Sequence, residues 1–275
     1  MALSQRLGGF KEGLRGLAYT GERRALALLP LCVFGLLYLV LAANAQPGWG
    51  PALVGLSLAY LTGFFALAAG WFWARWFASG LGWSGFMVGV MALAMFGWIP
   101  ALGIYTGLHG LVVALLLGPK MAERYELRPG WRERFAMDDF GVARLGKAVT
   151  RGASALPTLI LWALAPREES LALRGVGPVG PEAVVLVVAL GLLVLALVGL
   201  VKLRGFGLLA LAGAAAALVA AAGISLLGPG PAHLLSGGPW ALPAPMTPSA
   251  TPILALGFVV AAFSPWARTL VRSLR

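Results

Sequence analysis

The sequence predicts an all-α, polytopic integral membrane helix bundle with about eight transmembrane helices and both termini cytoplasmic. Three observations carry this. The 275 residues are 60% hydrophobic and only 11% charged, under half the charged fraction of about 25% in an ordinary soluble domain. Apolar runs long enough to cross a bilayer, at roughly 20 residues each, recur from one end of the chain to the other. Basic residues gather at alternate junctions between those runs, as they do on the cytoplasmic side of membrane proteins. Eight spans would use about 160 positions and leave no room for a separate soluble domain.

Hydropathy places the spans at 25–45, 52–73, 83–100, 103–118, 153–166, 182–201, 205–227 and 252–267. The stretch 83–118 is too long for one span, and Pro100 with Gly103 supplies a break, so it reads as two helices meeting in a tight turn. The run 153–166 is the shortest and reaches only about 21 Å at 1.5 Å per residue. It is either re-entrant or a span that borrows Ala148 and Val149 despite Arg151. Charge favours a span. With eight crossings, nineteen basic residues fall inside and only Arg167 and Arg174 outside; if 153–166 did not cross, the split would be sixteen to five.

The resulting order is a cytoplasmic basic segment at 1–24, four helices within 25–118, a basic cytoplasmic loop at 119–151, four more helices within 152–267 and a basic tail at 268–275. The Ala, Leu, Gly and Arg bias points to a bacterial cytoplasmic (inner) membrane. A basic start, the apolar run 25–41 and Ala43-Asn44-Ala45 have the make-up of a cleavable signal. The 24-residue basic region is long for one, however, and the run is long enough to span, so it is read as the first helix.

Leu3, Leu7, Phe10, Leu14 and Leu17 form an apolar stripe that predicts an amphipathic helix in the cytoplasmic interface, weakened by Gly8, Gly9, Gly13 and Gly16. In the 119–151 loop, Asp138 and Asp139 offer an N-cap for a second interfacial helix. Arg144, Lys147 and Arg151 follow on one basic face, suited to anionic lipid headgroups or to a cytoplasmic protein partner. The segment 228–251 reads as a long irregular outer loop rich in Pro and Gly.

Several chemistries are excluded. The net charge of +11 is scattered at span ends, which is a topology signal and no nucleic-acid patch. The single cysteine, Cys32, rules out an intrachain disulfide. His109 and His233 fall in different segments, which leaves no bis-histidine haem, and no cluster predicts a metal site or other cofactor. No phosphate-binding glycine loop is present. Gly82-Trp83-Ser84-Gly85 with Ala232-His233 resembles, over about six residues, the serine and histidine motifs of rhomboid intramembrane proteases. The predicted topology, however, puts Ser84 at the cytoplasmic end of its span and His233 in the outer loop, a membrane apart. Glu168-Glu169 followed by Arg174 is similar to the E-E-x-x-x-R motif of CAAX-type membrane proteases, but is one residue too long and lacks the histidine pair. No catalytic residue is assigned.

Two groups remain. Tyr105, Thr106 and His109 share one span at spacings of one, three and four, so Tyr105 and His109 lie on one helix face and could meet a ligand or a proton together with Tyr60, or with Ser57 and Thr62. The plainer expectation is a neutral His109 bonded to a neighbouring helix. Trp71, Phe72, Trp73, Arg75, Trp76 and Phe77 read as an aromatic belt at the end of the second span, with Arg75 snorkelling to headgroups. No acidic or basic residue falls well inside a predicted span, which argues against proton-driven transport. The sequence therefore favours a non-enzymatic subunit or scaffold of a larger assembly. A permease or channel for a small or lipidic solute, with a site among helices 2–4, is the alternative, and a lipid-acting membrane enzyme the third.

Overall fold

A computed structural model describes residues 20–46, 48–126, 129–134, 138–165, 181–227 and 250–261. Within them the chain forms helices: α1 Thr20–Ala43, α2 Gly50–Ala69, α3 Ala74–Phe96, α4 Pro100–Leu116, α5 Pro119–Glu126, α6 Pro129–Arg134, α7 Asp139–Leu164, α8 Pro181–Val201, α9 Phe206–Leu227 and α10 Ala250–Ala261. Five of these, α1, α2, α3, α8 and α9, are long and apolar enough to cross a membrane, and the pair α4 and α5, bent by 71°, makes a sixth if counted as one span. Their outward sides expose Leu29, Val33, Phe65, Met91, Val188 and Leu209, a surface that suits lipid and not water. This is the make-up of a multi-pass membrane protein.

Helices α1 to α4 form one packed group, α8 to α10 another, and α7 packs against α2, α3, α8 and α10. The sequence reading divided α7 into an interfacial helix and a short span beginning at 153. The structure corrects that to one continuous helix of 26 residues. Its buried face runs unbroken from Val142, Leu145 and Val149 to Ala153, Leu156 and Ile160, so a single stripe serves both halves. Asp138 caps it as expected, its Oδ1 accepting from the Gly141 N–H at 2.6 Å.

Other boundaries also shift. The second helix stops at Ala69, not 73, because Gly70 adopts φ 70° and its N–H closes on the Ala66 and Leu67 carbonyls, a left-handed cap that glycine alone takes without strain. The aromatic-rich stretch is thereby split: Trp71 to Trp73 lie in the turn, while Arg75, Trp76 and Phe77 open α3. Ser84 and Trp83 accordingly sit inside α3, not at the end of a span. Between α3 and α4 the break falls at Gly97 to Ile99, with Pro100 starting α4. Gly103 lies within α4, under the Trp98 indole. Arg23 and Arg24 belong to α1, which begins at Thr20. Residues 1–19, the stretch from 228 to 249 with His233, the Glu168, Glu169 and Arg174 group and the tail at 268–275 lie outside the described residues.

Glycine sets how closely the helices approach. Gly82, Gly85 and Gly89 face α4, where a Cβ at Gly85 would fall within the His109 ring and one at Gly89 would collide with the Thr106 side chain. Gly80 faces α7, where a Cβ would lie 2.5 Å from the Thr150 carbonyl oxygen and 2.7 Å from the Ala153 Cβ. Small residues are what allow helices to pack this tightly where lipid gives no hydrophobic drive. Because the Thr150 obstacle is backbone, Gly80→Ala should lower stability by about 1–3 kcal/mol. Gly107→Ala, with nothing within 4 Å, should leave stability unchanged or raise it by about 0.5–1 kcal/mol. Reversible unfolding of the two variants in mixed micelles reads the difference.

Candidate functional site

Two polar constellations stand out, one within the bundle and one at its basic end. The first centres on His109, which is 1% exposed. Tyr105 and His109 are one turn apart on α4, and the His109 Nδ1 lies 2.8 Å from the Tyr105 carbonyl oxygen. A carbonyl only accepts, so Nδ1 carries the proton and a neutral ring presents Nε2 as an acceptor. The Tyr60 hydroxyl on α2, 2.7 Å from Nε2, donates to it. Phe34 of α1 stacks on the imidazole with ring centres 4.1 Å apart, and Tyr38 of the same helix approaches Tyr60 at 5.5 Å. Phe34 also meets the Tyr105 ring edge-on, with centres 5.4 Å apart.

The cluster thus joins α1, α2 and α4 and uses both ring nitrogens of His109 internally. Thr106 takes a different course: its hydroxyl donates to the Leu102 carbonyl of its own helix at 2.7 Å and its side chain rests on Gly89. Ser57 donates to the Gly35 carbonyl at 2.8 Å and ties α2 to α1. The sequence reading named Tyr60, Tyr105, Thr106 and His109 but missed Phe34 and Tyr38. Tyr38 was a visible signal, a hydroxyl set inside an apolar span that needs a partner there.

The second constellation is a cleft of about 380 Å³ between α3, α5 and α7, at the low end of small-molecule sites. Arg75 and Trp76 from the start of α3, Glu126 from the end of α5, and Lys147, Thr150 and Arg151 from α7 line it. Arg75 is ion-paired with Glu126 and its Nη1 donates to the Leu116 carbonyl at 3.1 Å. The Trp76 indole N–H donates to the same carboxylate oxygen of Glu126 at 2.8 Å. Gly146 permits the close wall, since a Cβ there would stand 2.7 Å from the Trp76 ring. Trp131 of α6 stacks on Phe72 with centres 4.3 Å apart and stands edge-on to Trp76.

Of the four basic residues expected at headgroups, Arg75, Lys147 and Arg151 meet in this cleft, while Arg144 is exposed on α7 outside it. Arg75 does not snorkel freely: its side chain is 15% exposed and bound to Glu126 and Leu116. Glu126 and Thr150 were missed, because a carboxylate 51 residues from its arginine leaves no local pattern to read. No family model, no curated protein and no solved structure matches this chain.

Tyr60→Phe removes only the donor to His109 and leaves a buried ring nitrogen without a partner. It should lower stability by about 1–3 kcal/mol. Thr106→Val, which deletes a bond within one helix, should cost less than about 1 kcal/mol. Chemical unfolding of both variants beside the parent chain makes the comparison.

Proposed function

We propose that this chain is a non-enzymatic subunit or scaffold of a larger assembly in the bacterial cytoplasmic membrane, with eight crossings and both termini in the cytoplasm. On this reading α1 to α4 and α7 to α10 cross, and α5 and α6 lie at the surface. At 1.5 Å per residue the 26 residues of α7 extend about 39 Å, longer than a hydrocarbon core of about 30 Å, so the surplus carries Arg144 and Lys147 beyond the lipid. Arg23, Arg24, Arg75, Lys147 and Arg151 gather at one end of the bundle, and that grouping supports a cytoplasmic placement of this end.

The observation that carries the subunit reading is the closure of the His109 cluster. A permease with its site there would keep a donor or acceptor open to solute, whereas here both imidazole nitrogens are engaged by Tyr60 and Tyr105, so the cluster acts as a joint between helices.

Native mass spectrometry of the chain drawn gently from its own membrane tests this. A second polypeptide in fixed stoichiometry is expected. A chain that travels alone or only with copies of itself, holding a solute lost in His109→Ala, would overturn the reading in favour of a permease. Topology has its own check in a Cys32→Ala background. Gln46→Cys should react with an impermeant maleimide on intact spheroplasts, and Lys202→Cys only after permeabilisation.

A further inference from the structure

We propose that a row of methionine side chains on the outward face of α3 binds a soft monovalent metal ion, copper(I). The inference is independent of whether the chain is a subunit. Met87, Met91 and Met95 follow one another at single helical turns and are 49%, 63% and 45% exposed. Among the described residues no other methionine is exposed, and Met121 is buried. The outward sides of the other spans carry Leu, Val, Ile and Phe instead, which face lipid as well as methionine does and lack its sulfur. The row continues a face that is covered nearer the basic end of the bundle. Gly80, seven residues before Met87, meets Thr150 and Ala153 of α7, and a spacing of seven keeps to one helix face. Further along, Ile160 and Leu164 of α7 meet Gly55 of α2, and the α3 face is left open at the methionines.

Thioether sulfur is a soft donor suited to copper(I), whereas magnesium, calcium and manganese call for oxygen. Among the described residues no group of three His, Cys, Asp or Glu side chains comes together, so the methionines do not adjoin a site of another class. Side chains one turn apart have Cβ atoms about 5–6 Å apart, and methionine has three rotatable bonds, so the sulfurs of neighbouring members can converge on one ion. Met91, between the other two and the most exposed of the three, is the ligand common to either pair. Trp83, exposed one turn before Met87, extends the row with an indole face, which also attracts cations. Charge sets the depth. An ion held by neutral sulfurs stays positive, and a cation is costly at the bilayer centre. Met95 is next to the last residue of α3, so an ion between Met91 and Met95 lies within about 8 Å of the helix end.

Silver(I), which matches copper(I) in charge and softness and needs no reductant, is the probe. The full-length chain carries Cys32→Ala, because a thiol would compete for silver, and is titrated by calorimetry in an uncharged detergent and a chloride-free buffer. Saturable binding of one ion per chain is expected, displaced by anaerobic copper(I) and untouched by excess magnesium. Met91→Leu should weaken it at least about tenfold, since residues that merely support a metal's ligands already contribute about 10–100-fold. Met121→Leu should change it less than about twofold. Met91 faces outward, so the near-isosteric leucine leaves the melting temperature unchanged. A second readout needs no variant at the site: bound silver should slow the oxidation of Met87, Met91 and Met95 to sulfoxides by peroxide severalfold, followed by peptide mass spectrometry. No saturable binding, equal losses for Met91→Leu and Met121→Leu, displacement by magnesium, or sulfoxide formation indifferent to silver would overturn the proposal.

Discussion

The architecture depends on arginine side chains that close the ends of helices. The last carbonyls of a helix have no partner within it, and at a membrane boundary water is scarce. Arg23, 5% exposed, reaches from α1 to the Leu117 and Ala114 carbonyls at the end of α4. Arg24 does the same for Ala68 at the end of α2, and Arg75 for Leu116. A cation at a helix C-terminus also meets the negative end of the helix dipole. Among the described residues Arg23 and Arg24 make these bonds without a carboxylate, so they set the relative height of α1, α2 and α4 by hydrogen bonds to backbone. Tyr60 can meet His109 only because α2 and α4 are held at matching depth.

Much of this was legible in the residues. Long apolar runs gave the helices because a backbone in lipid has few other ways to satisfy itself, and Tyr105 and His109 shared a face because helical spacing requires it. Boundaries were less legible, and for one reason. Hydropathy averages over a window, in which a charged residue reads as an edge. Arg23, Arg24, Arg75 and Arg151 all lie within helices, so each edge was misplaced by several residues. The partners of those arginines are carbonyls or a distant carboxylate, which composition does not reveal.

The single helix α7 shows the same effect at larger scale. Its first half carries Arg144, Lys147 and Arg151 and its second half is apolar, so a hydropathy scale sees two objects. The apolar face, read every three to four residues, sees one. Depth is resolved by geometry: Gly80 of α3 meets the Thr150 carbonyl, roughly 8 Å beyond the level of Arg75 at helical rise. Arg151, the next residue on α7, lines the cleft with its long side chain.

That placement of α7 bears on the order in which the protein can be made. Six helices precede it in the chain, yet Gly80 of α3 and Gly55 of α2 face Thr150 and Ile160 of α7, and the Trp76 indole closes on Gly146. Until translation has passed residue 164, these surfaces lack their partner, and the group of α1 to α4 lacks one wall. Helices inserted early can settle their mutual glycine contacts at once, as α3 and α4 do, but the side awaiting α7 must stay open to it. The middle of the chain thus holds the one helix that completes the group made before it and begins the group made after it.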